Sequence, residues 1–402
     1  MNVLFLSELF YPQGGGAEWA TYLYANMLSK SGFTVAVITN RTAGEPETSK
    51  DGDITIYRLS LFEKRANVKY SILRRFDVLL SSFLRKMIRW ADVVYVPRYW
   101  YSAIPVSKSC GKPVLVHLHD YVSVCPLAIL YNTSEEAVCR RTSFSCPTAC
   151  IYLYEKSQGK KLNTSLPSAV LNSTFGHYMR WLGNIADATI FVSHEQKRLT
   201  LAKGFLSRAK TYVVYNPQPE IPYTAMEGDG FAYFGGYSLM KGYRVLCKAL
   251  RNISHNQVTL RGTGFNQQSR NSFRISDKVE FHRNGWVQAH EMREVYRSSR
   301  AVIVPSICPE PLPYVIYEAL LNGRLIIASR IGGIPEQTVG YSGCYLFTPG
   351  DYKELSNLIE YVSSIDREEA LEIGLRNRSI FLNSNHNEKS LRDFIRIIEN
   401  FV

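Results

Sequence analysis

One stretch constrains this chain more than any other: residues 301–336, AVIVPSICPEPLPYVIYEALLNGRLIIASRIGGIPE. Ala301 to Pro305 is a short, β-branched apolar run and predicts a buried strand. A helix should follow, because Pro311 and Pro313 suit a first turn whose amides have no intrahelical acceptor. Leu312, Val315, Ile316, Ala319 and Leu320 then form an apolar stripe that stops at Gly323. Arg324 to Ala328 reads as a second strand, closed by a Gly-Gly turn. Two carboxylates bracket the helix start. Glu310 and Glu318 are eight residues apart, about 12 Å at helical rise. Between them, the positive end of the helix dipole would seat a diphosphate, leaving one carboxylate for hydroxyls on each side.

The Glu310-x7-Glu318 pair after a strand, followed by Ile331-Gly332-Gly333-Ile334-Pro335-Glu336, resembles the family 4 retaining glycosyltransferases of GT-B fold, group 1 type. The resemblance covers nearly the whole chain. It implies an α/β fold of two doubly wound, Rossmann-like domains facing a cleft. It also implies transfer of a hexose-type sugar from a nucleotide-sugar donor to an acceptor hydroxyl, with no cofactor required for catalysis. Glu310 then takes the catalytic place beside the sugar and Glu318 the ribose. Many relatives carry glycine where this chain has Pro313, which lacks an amide hydrogen, so Leu312, Tyr314 and Val315 must supply the phosphate contacts.

The same rhythm opens the chain. Val3 to Ser7 predicts a strand, Tyr11-Pro-Gln-Gly-Gly-Gly-Ala-Glu18 a turn, and Ala20, Leu23, Tyr24, Met27 and Leu28 the apolar stripe of a helix ending before Gly32. Thr34 to Thr39 completes a βαβ unit. Gly15 and Gly16 let backbone approach a ligand, and in the resembled family a Gly-Gly-x-Glu loop here faces the donor across the cleft. Strands Asp92 to Val96 and Pro113 to Leu118 come next, the second ending in His117-Leu-His119-Asp120. His119-Asp120 matches the family's His-Asp position, which places His119 near the transferred sugar. Pro167 to Ile185 reads as a helix before the strands Ala188 to Val192 and Tyr212 to Val214. The Pro-rich stretch from Asn216 onward then marks a linker.

The second half restarts with strand Phe231 to Phe234 and the turn Gly235-Gly236-Tyr-Ser-Leu-Met-Lys241-Gly242. A lysine entering a helix opposes the dipole, so Lys241 is better read as a cation for a leaving diphosphate. The family usually has Gly-Arg ahead of this Lys-Gly, but here Gly236 and Tyr237 stand instead, and Arg261 of Leu-Arg-Gly-Thr-Gly is the candidate replacement. Further strands are expected at Val258 to Arg261, Val279 to His282 and Gly343 to Phe347. The domains expected are therefore 1–215, with a Cys-rich insert at 125–150, a linker 216–230, and 231–385. Residues 386–402 should form a helix that packs back on the first domain, as in the family.

With 402 residues, two domains are the natural expectation. Lys and Arg outnumber Asp and Glu by 47 to 35, a net charge of +12. From Arg58 to Arg89 nine basic residues, among them Arg74, Arg75, Arg85 and Lys86, meet only Glu63 and Asp77 and interleave with apolar residues at helical spacing. This predicts a basic amphipathic helix, or two, either packed on the core with a solvated basic face or lying on anionic lipid. The resemblance favours the lipid, because many relatives act on lipid-linked acceptors. Nucleic acid is not the expected partner, since aromatics are not interleaved with the basic residues as a stacking platform. No apolar run is long enough to span a bilayer, and MNVLFLSELFYPQGGG lacks the basic start of a signal peptide. The expected place is the cytoplasm, peripheral to the inner membrane face.

Cys125, Cys139, Cys146 and Cys150 are separated by 13, 6 and 3 residues. Four thiols so close can hold a structural zinc or an iron–sulfur cluster, or stay thiols; the spacing fits no finger or ribbon. Two other function classes share the features described: a nucleotide-sugar epimerase or phosphorylase of the same fold, and a non-catalytic nucleotide-sugar-binding protein.

Overall fold

The structure is a computed structural model that describes residues 1–42, 44–60, 81–98, 100–140, 148–157, 178, 180–204, 209–266, 271–285 and 289–402. The chain divides into two compact units, Met1–Pro217 with Asn387–Val402, and Gln218–His386. Both are doubly wound α/β units, the fold class expected from the sequence.

In the first unit the apolar runs become β1 (Asn2–Leu6), β2 (Thr34–Asn40), β3 (Thr48–Asp51), β4 (Ile54–Leu59), β5 (Val93–Val96), β6 (Val114–Leu118), β9 (Ala188–Phe191) and β10 (Lys210–Val213). They form one sheet in the order β10-β9-β6-β5-β1-β2-β4-β3, parallel apart from the β3–β4 pair. A two-stranded ribbon, β7 (Tyr131–Asn132) and β8 (Ala137–Val138), lies apart from it. Because successive strand side chains point to opposite faces, Leu4 and Leu6 enter one core and Val3 and Phe5 the other. Helix α1 (Gly16–Lys30) follows β1 and buries Tyr24 and Leu28 in the second of these cores. Phe394, Ile397 and Ile398, from the helix His386–Glu399, fill the same core, with the Phe394 ring 4.7 Å from Tyr24 and 5.2 Å from Tyr95.

The basic stretch differs from the sequence expectation. Arg58 is not helical but pairs with Thr39 in β4, where its guanidinium donates to Ser49 Oγ at 2.7 Å. Alternation of buried Ile54 and Ile56 with half-buried neighbours gives period two, and the turn at Asp51–Asp53 closes a hairpin that the helical reading passed over. Residues 61–80, including Arg74 and Arg75, lie outside the described residues. Helix Ser82–Trp90 is capped by Ser81 Oγ, which accepts from the Leu84 amide at 3.3 Å. It buries Leu84, Met87 and Ile88 in the core and leaves Lys86 and Arg89 exposed. The helix expected at Pro167 to Ile185 falls mostly outside the described residues.

The second unit carries β11 (Gly230–Phe234), β12 (Val258–Thr263), β13 (Asn271–Ser276), β14 (Val279–Arg283), β15 (Ser299–Val304), β16 (Leu325–Ser329) and β17 (Cys344–Phe347). Their order is β13-β14-β12-β11-β15-β16-β17, parallel except for β13, an antiparallel edge strand absent from the sequence reading. Of the Pro-rich stretch 216–230, the part from Gln218 belongs to this unit. There the Thr224 amide donates to Asn322 Oδ1 at 3.2 Å, and the Thr224 carbonyl accepts from the buried Arg324 at 2.8 Å. Among the described residues, no helix is long and apolar enough to cross a membrane.

Candidate active site

In an open parallel sheet, ligands bind beyond the carboxyl ends of the strands, where the strand order reverses. In the second unit that point lies between β11 and β15. The loop after β11 carries Gly236, Lys241 and Gly242, and the loop after β15 carries Ser306 and Glu310. The loops are sewn together by the Ile307 amide, which donates to the Met240 carbonyl at 3.0 Å. Lys241 Nζ lies 2.7 Å from Glu310 Oε1, and Ser306 Oγ donates to the same oxygen at 2.8 Å. Desolvation acts to lower the Lys241 pKa, but the facing Glu310 carboxylate outweighs it, so the pKa is raised. Gly242 has a φ of +76° and caps the next helix, and a Cβ there would overlap the Pro305 carbonyl. Gly332, at φ +58°, brings its backbone so close to Glu310 that a Cβ would overlap the Glu310 carbonyl, and the Gly333 amide donates to that carbonyl at 2.7 Å.

The expected helix is shorter than its pattern implied. It spans Tyr314–Leu321 with Pro313 as N-cap at ψ 128°, so Glu310, Pro311 and Leu312 belong to an irregular, bent lead-in. Proline disfavours helical geometry in the residue before it, and two prolines here hold Glu310 and Leu312 off the helix. The separation of Glu310 and Glu318 is therefore not a helical rise. Leu312 is buried beside the cap, and Tyr314 and Val315 open the first turn. Glu318 Oε2 accepts from Tyr296 OH at 2.9 Å. Burial raises the Glu318 pKa, and the Tyr296 bond offsets part of that.

Arg261 lies within β12, its Nε buried without a hydrogen-bond partner. Tyr237, where the family carries arginine, instead receives a 2.7 Å hydrogen bond from Arg283 Nη1 at the end of β14. That guanidinium also stacks 4.5 Å from the Phe273 ring. Arg283 did not stand out in the sequence, where it is one basic residue among many.

In the first unit the order reverses between β1 and β5. Gly15 caps α1, Gly16 begins it, and Glu18 Oε2 accepts from the Gly15 amide at 2.7 Å. The other oxygen of Glu18 meets Arg98, which also lies 3.3 Å from Asp120 and 3.7 Å from Glu8. Arg98 thus ties the glycine turn to the His119-Asp120 turn, a role the sequence did not reveal because these partners are distant in the chain. Both ring nitrogens of His119 are buried without a hydrogen-bond partner, and its ring packs 4.5 Å from that of His117. Burial, with the Arg98 charge adding to it, pushes the His119 pKa down to about 3, so the imidazole is neutral. His117 is held by Tyr95 OH at 2.8 Å within the core. Glu8, buried beside two other carboxylates, is pushed up to about 7, with Arg98 opposing that shift.

Cys125 and Cys139 share one apolar cluster, while Cys150 packs against the β7 ribbon through Thr133 and Tyr131. Cys146 lies outside the described residues. Among the described residues, no group of three or more His, Cys, Asp or Glu side chains is placed to hold a metal ion.

A family model described as Glycosyltransferase Family 4 matches residues 14–217, and one described as Glycosyl transferases group 1 matches residues 229–364. A protein from the cps region of Klebsiella pneumoniae, of 42.6 kDa and uncharacterized, is 20% identical over 340 residues, covering 84% of this chain and 87% of that protein. Among solved structures, sucrose-phosphate synthase from Thermosynechococcus elongatus superposes with a TM-score of 0.68 at 15% identity, covering 99% of this chain and 98% of that one. HepE from Anabaena, in complex with UDP-glucose, gives 0.61 at 19% identity over 100% and 99% of the two chains.

Proposed function

Because the chain belongs to the family 4, group 1 glycosyltransferases, we propose that it moves a hexose from a nucleotide-sugar donor to an acceptor hydroxyl on a polysaccharide precursor or lipid-linked glycan, retaining the anomeric configuration. The observation that carries this reading is the Lys241–Glu310 pair at the switch point of the second sheet. Half-exposed Lys241 would meet the diphosphate as its bond to the sugar breaks, and Glu310 would face the positive charge developing on the sugar. Glu318 would hold ribose hydroxyls, and neutral His119 would hydrogen-bond the sugar. The new bond to the acceptor oxygen forms on the face that the diphosphate leaves, and the acceptor's proton departs with the nucleoside diphosphate. The UDP-glucose in HepE supports a nucleotide-sugar donor, and the cps-region relative supports a polysaccharide setting. In this reading the protein works peripherally at the inner membrane face.

The test is release of nucleoside diphosphate by the purified chain from UDP-, GDP- and ADP-hexoses, with the anomeric signal of any product read by NMR. An α-linked donor yielding an α-linked product supports the proposal. No release from any donor would sink the transferase, and an inverted product would sink retention.

A further inference from the structure

Tyr11, at the start of the glycine turn, and Trp19 and Tyr22, on α1, form one aromatic cluster in the first unit. The Tyr11 ring lies 4.3 Å from Trp19 and 4.7 Å from Tyr22, and Trp19 and Tyr22 are stacked at 5.8 Å. Phe10, itself buried, fixes Tyr22 from beneath at 5.8 Å. The top of the cluster is open, with Tyr11 39% exposed. A single exposed aromatic needs no explanation, but here three rings are braced against one another, Trp19 and Tyr22 nearly parallel at 25° and Tyr11 inclined at 37° to Tyr22 and 63° to Trp19, and braced aromatics give contact area at little entropic cost.

A pyranose ring suits an exposed ring face of such a cluster, that of Tyr11 above all. One face of the sugar presents C–H bonds, which are apolar and carry slight positive charge, and the face of an aromatic ring carries negative charge. The sugar's rim of hydroxyls needs polar partners, and the edge of this cluster supplies them. The Tyr22 hydroxyl meets Asn26 and Asp51, placing an amide and a carboxylate beside the rings. Location narrows the ligand further. Tyr11 is four residues from Gly15, at most about 14 Å of extended chain, so Tyr11 and the glycine turn share the loop that leads into α1.

We propose that Tyr11, Trp19 and Tyr22 are the stacking platform for a pyranose unit of the acceptor glycan. The naming of the ligand as acceptor rests on the sugar-transfer reading; the binding itself is tested without a donor. The probes are methyl glycosides of glucose, galactose, mannose and N-acetylglucosamine and their α1,4- and β1,4-linked disaccharides. Saturation-transfer NMR and tryptophan fluorescence on the full chain give the readout. The expected result is saturation of the protons on one sugar face by at least one probe. Affinity should fall at least tenfold in Tyr11→Ala and Trp19→Ala and be largely kept in Trp19→Phe. If Trp19→Ala melts early, the exposed Tyr11→Ala decides alone. No saturation with any probe, or equal binding by the alanine variants, overturns the platform. So does pelleting with neutral phosphatidylcholine vesicles that depends on Tyr11, which would make the patch a lipid contact. Nucleoside diphosphate release, measured in parallel, reports on the transfer reading alone, so the two can fail separately.

Discussion

Lys241 and Glu310, 69 residues apart in the chain, are joined by a 2.7 Å ion pair beyond the strands β11 and β15, between which the strand order of the second sheet reverses. Neither residue alone marks a site. Their meeting there, between a glycine cap that tolerates no side chain and a turn packed on the Glu310 backbone, is what gives the pair its chemical meaning.

Glu310→Gln keeps the shape and the Ser306 contact but removes the charge. Turnover should fall at least about 100-fold, with thermal unfolding little changed, because Lys241 is exposed enough to be solvated without its partner. Steady-state kinetics beside a melting curve provide the check, and near-native turnover would take Glu310 out of the chemistry.

Glu318→Ala should weaken donor affinity by about 1–3 kcal/mol, read by calorimetry with the nucleoside diphosphate. Tyr296→Phe removes only the hydroxyl that orients this carboxylate and should cost less. Unchanged affinity in the alanine variant would leave Glu318 as a helix residue held by Tyr296.

Two groups of the first unit should print opposite slopes on stability against pH. Glu8 has its folded pKa raised from 4.5 to about 7, so the native state keeps a proton that the unfolded chain releases. Its stabilisation is full below pH 4.5 and is lost as pH rises toward 7, by roughly 3 kcal/mol at most. Arg98, Glu18 and Asp120 are the charged groups that act on it. Glu8→Gln should therefore gain on the wild type as pH rises from 4.5 to 8. His119 is lowered from 6.5 to about 3, so its contribution is full above pH 6.5 and fades as pH falls. Urea melts of wild type, Glu8→Gln and His119→Asn across this range will separate the slopes, and parallel curves would refute both assignments.

Vesicle binding tests the peripheral-membrane reading. Each basic residue close to an anionic leaflet contributes about 1 kcal/mol, so the chain should pellet with acidic vesicles at low salt and release as Debye screening grows. Replacing Arg74, Arg75, Arg85 and Lys86 with Gln should abolish this. Equal pelleting with neutral vesicles, or none with acidic ones, would return these residues to an ordinary solvated face.

Much of the fold was legible because burial on both faces makes parallel strands continuous apolar runs, as in AVIV before Pro305 and VVYV in β5. The edges were not. The β3 strand TSKD is polar and largely exposed, and the antiparallel β13 strand NSFRIS carries only Phe273 and Ile275 as apolar residues, too short an alternation to stand out. Among the candidate residues, Glu310, Glu318, Lys241 and His119 stood out in the sequence because each sits in a local motif. Arg98 was not, since its partners Glu18 and Glu8 lie 80 and 90 residues earlier. Nor was the Arg283–Tyr237 pairing, which only the parallel register of β14, β12 and β11 brings about.

Phe394 has a consequence in time as well as space. The second unit is one unbroken run of chain, so all of it is translated before residues 387–402. The first unit, though translated earlier, must wait with one face of its sheet lacking Phe394, Ile397 and Ile398. Apolar surface left open through that interval is where a nascent chain aggregates or recruits a chaperone. Of the two units, the one translated first is therefore the one whose core is completed last.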